Sequence, residues 1–410
     1  MWYNVDGDSM DRIIFHIDVN NAFLSWSAID LLINGFKEDI RNYDAVIGGD
    51  ESRRAGIVLA KSMGAKKKGI ITGETLYSAR KKCPGLKVYP PNYYVYQTKS
   101  NSLFTLLSKY TPDIEIFSID ECFIDYGKVK KLYGDELIFA NKLKDEIQEK
   151  LGFTVNIGLG NNKLCAKMAS DFLKPNMIHT LFNDEIKDKM WPLSIEELFG
   201  IGKKTSTKLR GLNINTIGDL ANADFDKLAP YFKNQTIKMI NAANGKDGSP
   251  VISEQVESKG ISNSTTLDHD LKTSEEIYKV LHVIADNLCT ALREQHRYAC
   301  VVVVILKDRY FKSYSHQMKL NNGTNITSEV FGISKKLLDE MWNLEPIRLV
   351  GIRLDNLVKE VNYQMSLFES NEDRTKVSKL DKTVDDLKIK YGHNVIGNAY
   401  LKDDNIIKKY

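Results

Sequence analysis

Ile116-Phe117-Ser118-Ile119-Asp120-Glu121-Cys122-Phe123-Ile124-Asp125 is the stretch that decides the fold. Two apolar, β-prone half-strands meet there at adjacent carboxylates, Asp120 and Glu121. Neighbouring carboxylates repel, so a partly buried pair needs a shared proton or a cation to settle it. An Asp-Glu pair between strands is most often a solvated hairpin turn. This turn lacks the usual Gly or Asn, however, and its flanks are apolar enough for a core. Far upstream a second apolar strand, Ile13-Ile14-Phe15-His16-Ile17-Asp18, also ends on a carboxylate. At the lip of one sheet, Asp18, Asp120 and Glu121 would offer three hard oxygen ligands to Mg²⁺.

With 410 residues the chain is expected to form several domains. No apolar run approaches the roughly 20 residues that span a membrane, and residues 1 to 12 lack the basic and apolar regions of a signal peptide. Five cysteines without a CxxC pair suggest neither a disulfide framework nor a zinc site, and fit a reducing cytoplasm. The net charge of +3 points only weakly to nucleic acid. Its distribution says more: Lys66-Lys67-Lys68, Arg80-Lys81-Lys82 and Lys203-Lys204 are clusters, and several lie beside Gly-rich turns.

After Asp18 a helix carrying Phe23, Trp26, Ile29 and Leu32 is expected, with Phe23 read by itself as core. Gly56 to Ala60 reads as a strand, followed by a basic helix from Lys61 to Lys68 that Gly69 ends. A helix from about Glu136 to Leu151 places Leu137, Ala140, Leu143 and Ile147 on one face. Val155, Ile157 and Leu159 alternate as a strand. Leu198-Phe199-Gly200-Ile201-Gly202-Lys203-Lys204-Thr205 has the form of a helix-hairpin-helix, in which Gly200 and Gly202 let backbone amides approach a DNA phosphate. Asn241 to Pro250 reads as a linker. Beyond it the order is β-α-β-β-α-β, and polar strand residues such as Lys312, Ser313, Ser315 and Arg353 are candidate phosphate contacts. Residues 371 to 378 are expected to be disordered, with a short amphipathic helix on Val377, Leu380, Val384 and Leu387 after them.

The Ser118-Ile119-Asp120-Glu121 segment resembles the signature of the Y-family (translesion) DNA polymerases. The run from Asn161 through Lys174-Pro175-Asn176 is similar to that family's helix and Lys-Pro-Asn turn. The resemblance implies an α+β multidomain, right-hand-like polymerase. Its palm would be residues 1–21 and 93–181, its small fingers 22–92 and its helix-hairpin-helix thumb 182–245. A linker (246–253), a βαββαβ little finger (254–362) and a tail (363–410) would follow. It implies two Mg²⁺ ions held by Asp18, Asp120, Glu121 and the Val19 carbonyl. It implies nucleotide contacts from the amides of Asn21, Ala22 and Phe23, from Lys66 and from Lys174, with Phe23 as a steric gate against ribonucleotides. Many members carry Tyr and Arg where this chain has Met63 and Lys66, and Lys lacks the bidentate fork of Arg. Gln364-Met365-Ser366-Leu367-Phe368 looks like a sliding-clamp-binding motif, with Gln364, Ser366, Leu367 and Phe368 as its contacts. The resemblance further implies primer-template DNA and dNTPs as partners, a monomer in the cytoplasm at the nucleoid, low fidelity and no proofreading. Two other classes remain: a catalytically inactive DNA- and clamp-binding accessory protein, and a hairpin-bearing glycosylase or nuclease, for which no base-flipping pocket pattern is seen.

Overall fold

The computed structural model describes residues 12–51, 54, 56–254, 257–360, 371–392 and 396. The upstream apolar strand forms as β1 (Ile14–Val19), buried at every position. It turns at Asn21, in the left-handed region, into α1 (Ala22–Ile33). Next come β2 (Ala45–Gly48), β3 (Val58–Lys61), α2 (Met63–Lys67), α3 (Leu76–Lys82) and β4 (Lys87–Tyr89), with a small sheet ordered β3-β2-β4. α4 (Tyr93–Leu107) leads to the hairpin of β5 (Ile114–Ile116) and β6 (Glu121–Asp125). α5 (Lys130–Tyr133), α6 (Glu136–Leu151), β7 (Val155–Gly160), α7 (Lys163–Asp171) and β8 (Ile178–Leu181) complete this region. The larger sheet runs β5-β6-β1-β7-β8, which explains the complete burial of β1: it is the central strand and is covered on both faces.

On one face Phe15, Ile17 and Val19 join Trp26, Tyr96 and Phe139 in the main core. On the other, Ile14 and Phe123 pack against Ala166 of α7. The close approach of α7 depends on glycine in β7. A Cβ on Gly158 would stand 2.0 Å from the Ala166 oxygen and 2.4 Å from the Ser170 nitrogen, and both are backbone atoms that cannot swing aside. Gly158→Ala is therefore expected to lift α7 off the sheet and to destabilise the fold by about 3 kcal/mol or more, the upper end for overpacking. Thermal unfolding tests this, with Gly85→Ala as control, since a Cβ there meets nothing within 4 Å. Equal midpoints for the two variants would refute it.

Local chemistry shifts two of the expected helices. Lys61 is the last residue of β3, and the basic helix starts at Met63 because the Ser62 hydroxyl accepts from the Ala65 amide as an N-cap. In α6 the buried stripe is Phe139, Ala140, Leu143 and Ile147, while Leu137 is 44% exposed. At 3.6 residues per turn Leu137 lies roughly 100° from the middle of that stripe.

A helical turn at Ile195–Glu197 is followed by α8 (Lys203–Arg210), α9 (Ile217–Ala221), α10 (Phe225–Phe232) and α11 (Gln235–Ala243). Leu198, Ile201, Leu209, Ile217 and Leu220 share their core. The stretch read as a linker is tied down. Asn162 Nδ2 donates to the Gly245 oxygen (2.7 Å), Arg12 to the Ser249 oxygen (2.8 Å), and the Ile252 amide to Glu115 (2.8 Å).

The last region is β9 (Gly260–Leu271), α12 (Ser274–Glu294), β10 (Tyr298–Asp308), β11 (Ser313–Thr324), α13 (Thr327–Met341) and β12 (Ile347–Val358). This is the β-α-β-β-α-β order expected from the sequence. The sheet runs β11-β10-β12-β9, entirely antiparallel. Residues 371 to 378, expected to be disordered, instead begin α14 (Asn371–Tyr391). Of the residues expected on its inner face, Val377, Val384 and Leu387 are half-buried, whereas Leu380 is 62% exposed. Ion pairs set the face: Arg293 of α12 binds Asp385 through Nε (2.5 Å) and Nη2 (3.0 Å), and Lys388 meets Asp286 at 2.5 Å. Asp381 accepts from the Thr327 amide at 2.9 Å and so caps α13 from outside. Asp385→Ala would take two charge-assisted hydrogen bonds from the largely buried Arg293 guanidinium and leave it Asp381, at 3.2 Å, as its carboxylate partner. It is expected to cost about 2 kcal/mol in the unfolding of this unit; urea titration showing an unchanged midpoint would contradict that.

The chain divides into two compact units, Met1–Gly49 with Gly56–Gln255, and Asp50–Ala55 with Val256–Tyr410. Among the described residues no helix is long and apolar enough to cross a membrane. Gln364, Ser366, Leu367 and Phe368 lie outside the described residues.

Candidate active site

β1 and β6 pair with Asp18 directly opposite Glu121, so both carboxylates leave the same face at the same edge. Asp120 is held one residue earlier, where its carbonyl accepts from the Val19 amide at 3.0 Å. The three acids open on a pocket of about 350 Å³. Val19, Asn21, Ala22, Phe23, Lys66 and Lys174 line it too, so every catalytic and nucleotide-binding candidate named from the sequence faces one space. Met63, Leu59 and Ala60 border it as well. Among the described residues, however, no three acids are gathered closely enough to grip an ion. The Asp120 carboxylate takes a 2.6 Å hydrogen bond from Ser118, and Asp18 is engaged by the Lys174 ammonium.

Three lysines face four carboxylates in this pocket: Lys66, Lys167 and Lys174 against Asp18, Asp120, Glu121 and Asp171. Burial pushes the Asp18 carboxyl above its ordinary range, and the Lys174 charge offsets only part of that. Burial also acts to raise Glu121, but His16 and Lys167 outweigh it and hold the group near 2, so it is ionised at neutral pH. Lys167 Nζ lies 3.1 Å and His16 Nε2 3.3 Å from Glu121 Oε2. His16, itself pushed down by burial, meets the Ser170 hydroxyl at 2.8 Å through Nδ1. The donor set fits Mg²⁺: its oxygens are hard, Asp18 already faces an ammonium cation, and that cation leaves its carboxyl short of positive charge. Asp18, Asp120, Glu121 and the Val19 carbonyl are the residues that could hold the ions.

Sequence reasoning missed Lys167 and His16. Each is buried against Glu121, and their one local signal is that Lys167 stands four residues before Asp171 on α7. Phe23 is packed as the core reading expects and also lines the pocket. Its ring stacks on Tyr96 at 4.4 Å between centroids and 6° between planes, yet it also borders the pocket. Asn21 gives α1 no side-chain cap, which leaves the first amides of that helix directed at the pocket where an anion would sit. Lys174 contacts Asp18 and lies 2.8 Å from Asp171; burial acts against its charge, but the two aspartates outweigh it and raise the ammonium above its ordinary value.

The hairpin candidates lie elsewhere in the same unit. Gly200 has φ 91°, a conformation that favours glycine, and Gly202 precedes the first residue of α8. Gly200, Gly202, Lys203 and Lys204 are all exposed, and a Cβ at either glycine would meet nothing within 4 Å.

Comparison with known proteins agrees with this geometry. Residues 17–171 match the impB/mucB/samB family, residues 258–367 its C-terminal domain and residues 183–214 its HHH motif. DNA polymerase IV of Clostridium acetobutylicum is 47% identical over 393 residues, which cover 96% of this chain and 98% of that protein. DNA polymerase IV 1 of Bacillus subtilis is 33% identical, covering 97% of this chain and 95% of that one. A solved Y-family DNA polymerase chimera superposes with a TM-score of 0.74 over 85% of this chain and all of its own, at 24% identity. The chain therefore belongs to the impB/mucB/samB family and has the multidomain α+β fold of the Y-family DNA polymerases.

Proposed function

We propose that this chain, a DNA-directed DNA polymerase by family, performs template-directed nucleotidyl transfer by a two-metal route. It adds a dNMP to a primer 3′-hydroxyl at low fidelity and past template damage. The observation that carries this reading is the opposed pair Asp18 and Glu121, with Asp120 beside them, at the rim of a pocket that also holds Lys66 and Lys174. Two bound Mg²⁺ ions would supply an activated primer oxygen and a neutralised pyrophosphate. Asp18 and Asp120 would help to hold the ions, and Glu121, kept ionised by Lys167 and His16, would be a third carboxylate ligand. Lys174 and the α1 amides hold the triphosphate, and Lys66 adds a point charge. Phe23 lies under the sugar. The exposed hairpin before α8 grips duplex backbone without reading sequence. Gln364, Ser366, Leu367 and Phe368 tether the enzyme, a monomer, to the sliding clamp at the nucleoid.

Primer extension on an undamaged template tests the core of this reading, with and without Mg²⁺, offering deoxy- and ribonucleotides separately. Short, Mg²⁺-dependent products from deoxynucleotides alone are expected. An intact preparation that binds DNA and adds no nucleotide would instead favour an accessory protein. A damaged template and a clamp pull-down with Leu367→Ala and Phe368→Ala test the two finer statements.

A further inference from the structure

Two asparagines carry an arrangement that the metal chemistry does not use. Asn156 lies on β7 opposite Asp18 and is fully buried. Its side chain makes its full complement of hydrogen bonds. Nδ2 donates to the Ser170 oxygen at 3.0 Å and to the Leu173 oxygen at 2.6 Å. Oδ1 accepts from the Met177 amide at 3.2 Å and from Asn20 Nδ2 at 3.0 Å. Asn20, 6% exposed, uses its own Oδ1 to accept from the Asn176 amide at 2.8 Å. Backbone carbonyls on one side and backbone amides on the other fix which end of each amide points where.

The partners of this pair bracket the dipeptide Lys174-Pro175. Leu173 comes immediately before Lys174, while Asn176 and Met177 follow directly after Pro175. Asn176 sits at φ 61°, a left-handed conformation that asparagine tolerates better than most residues. α7 ends at Asp171, so no helical hydrogen bonding fixes this turn. Besides one backbone bond, from the Ile157 amide to the Met177 oxygen at 3.0 Å, its anchorage to the sheet runs through the two asparagines, and Lys174 is the flexible side chain at its apex that reaches the pocket.

We propose that Asn156 and Asn20 are positioning residues for nucleotide binding. They clamp the backbone on both sides of Lys174 and so set where its ammonium meets the triphosphate. The proposal rests on the reading of Lys174 as a phosphate contact. It gives a reason for two buried amides beside a metal site: an apolar pair of the same size would leave the Asn176 and Met177 amides without these partners and the Leu173 carbonyl with His179 alone.

A double-mutant cycle tests it, using Asn156→Ala, Asn20→Ala and Lys174→Ala singly and in pairs. The readouts are dNTP KM and kcat, dNTP binding to a complex with a dideoxy-terminated primer, and DNA affinity. Each asparagine variant is expected to weaken dNTP binding and raise KM by about tenfold or more, while kcat and DNA affinity move far less. In the Lys174→Ala background the same substitutions should add almost nothing, because the group they place is gone. Effects that multiply would overturn the proposal, since they would show the asparagines acting by another route. If Lys174→Ala alone leaves dNTP binding unchanged, it is the phosphate reading of Lys174 that fails. Should Asn156→Ala not fold, Asn20→Ala decides the matter, because it removes only the hold on the Asn176 amide and one bond to Asn156.

Discussion

Asp120→Ala and Asp18→Ala proteins are expected to bind primer-template DNA normally and to extend it at least a thousandfold more slowly than the parent. Both side chains border the pocket into which Lys174 and the α1 amides direct positive charge. Neither belongs to the apolar core, since the Asp120 carboxylate is bonded only to its neighbour Ser118 and that of Asp18 is paired with Lys174 at the pocket. Removing a metal carboxylate forfeits several kcal/mol of transition-state stabilisation, and about 4 kcal/mol is a thousandfold in rate. DNA affinity should not fall, because deleting a negative charge beside the phosphates lowers repulsion and the exposed Gly200–Gly202 hairpin is untouched. Glu121→Ala should also be inactive, and it carries an extra signature. Lys167, which faces Glu121 at 3.1 Å, would be released to pair fully with Asp171, 3.5 Å away in the present structure. Single-turnover extension with anisotropy-based DNA binding measures all three. Extension retained in the Asp120 or Glu121 variant would end the two-metal assignment.

The parts of this site legible in the sequence were those with a local signature. The Asp120-Glu121 turn, the strand ending at Asp18 and the Lys-Pro-Asn turn each stand out within ten residues. Their register did not: Asp18 faces Glu121 across 103 positions of chain, and no local pattern fixes a pairing of that span. The second face of β7 was not legible for a related reason. Val155, Ile157 and Leu159 alternate as a strand, as β7 is, but the alternation does not show that all six residues are buried, α7 covering the other face. Gly158 and Gly160, at alternate positions on that second face, were the available sign of a close-packed helix. Once the covered face is known, Asn156, two residues before Gly158 on that face, becomes a buried polar group in need of partners, and its bonds to the Lys174 turn follow. In the tail, residues 371 to 378 are helical rather than disordered, and α14 docks through Asp381, Asp385 and Lys388 as well as its half-buried Val377, Val384 and Leu387; apolar periodicity does not register the charged part of that contact.

Phe23→Ala is expected to admit ribonucleotides that the parent excludes, raising their incorporation relative to dNTPs by about 10- to 100-fold. That is the range of an overpacking clash of about 1–3 kcal/mol expressed as a rate ratio. A steric gate discriminates only if it cannot step aside, and the surroundings of Phe23 supply that rigidity. Its ring is stacked on Tyr96 and has Tyr93 edge-on at 6.2 Å, while Trp26 closes the third side at 6.3 Å. Tyr96 is itself fully buried, with its hydroxyl 2.9 Å from Ser27. A 2′-hydroxyl pressing on Phe23 would therefore have to displace a packed aromatic cluster. The same packing supplies the control. Phe23→Leu keeps bulk at the rim but gives up the stack, so it should fall between the parent and alanine in ribonucleotide use. Deoxynucleotide incorporation should fall far less than ribonucleotide incorporation rises. Equal ribonucleotide exclusion by parent, leucine and alanine would show that Phe23 is only a core residue and that the sugar is read elsewhere in the pocket.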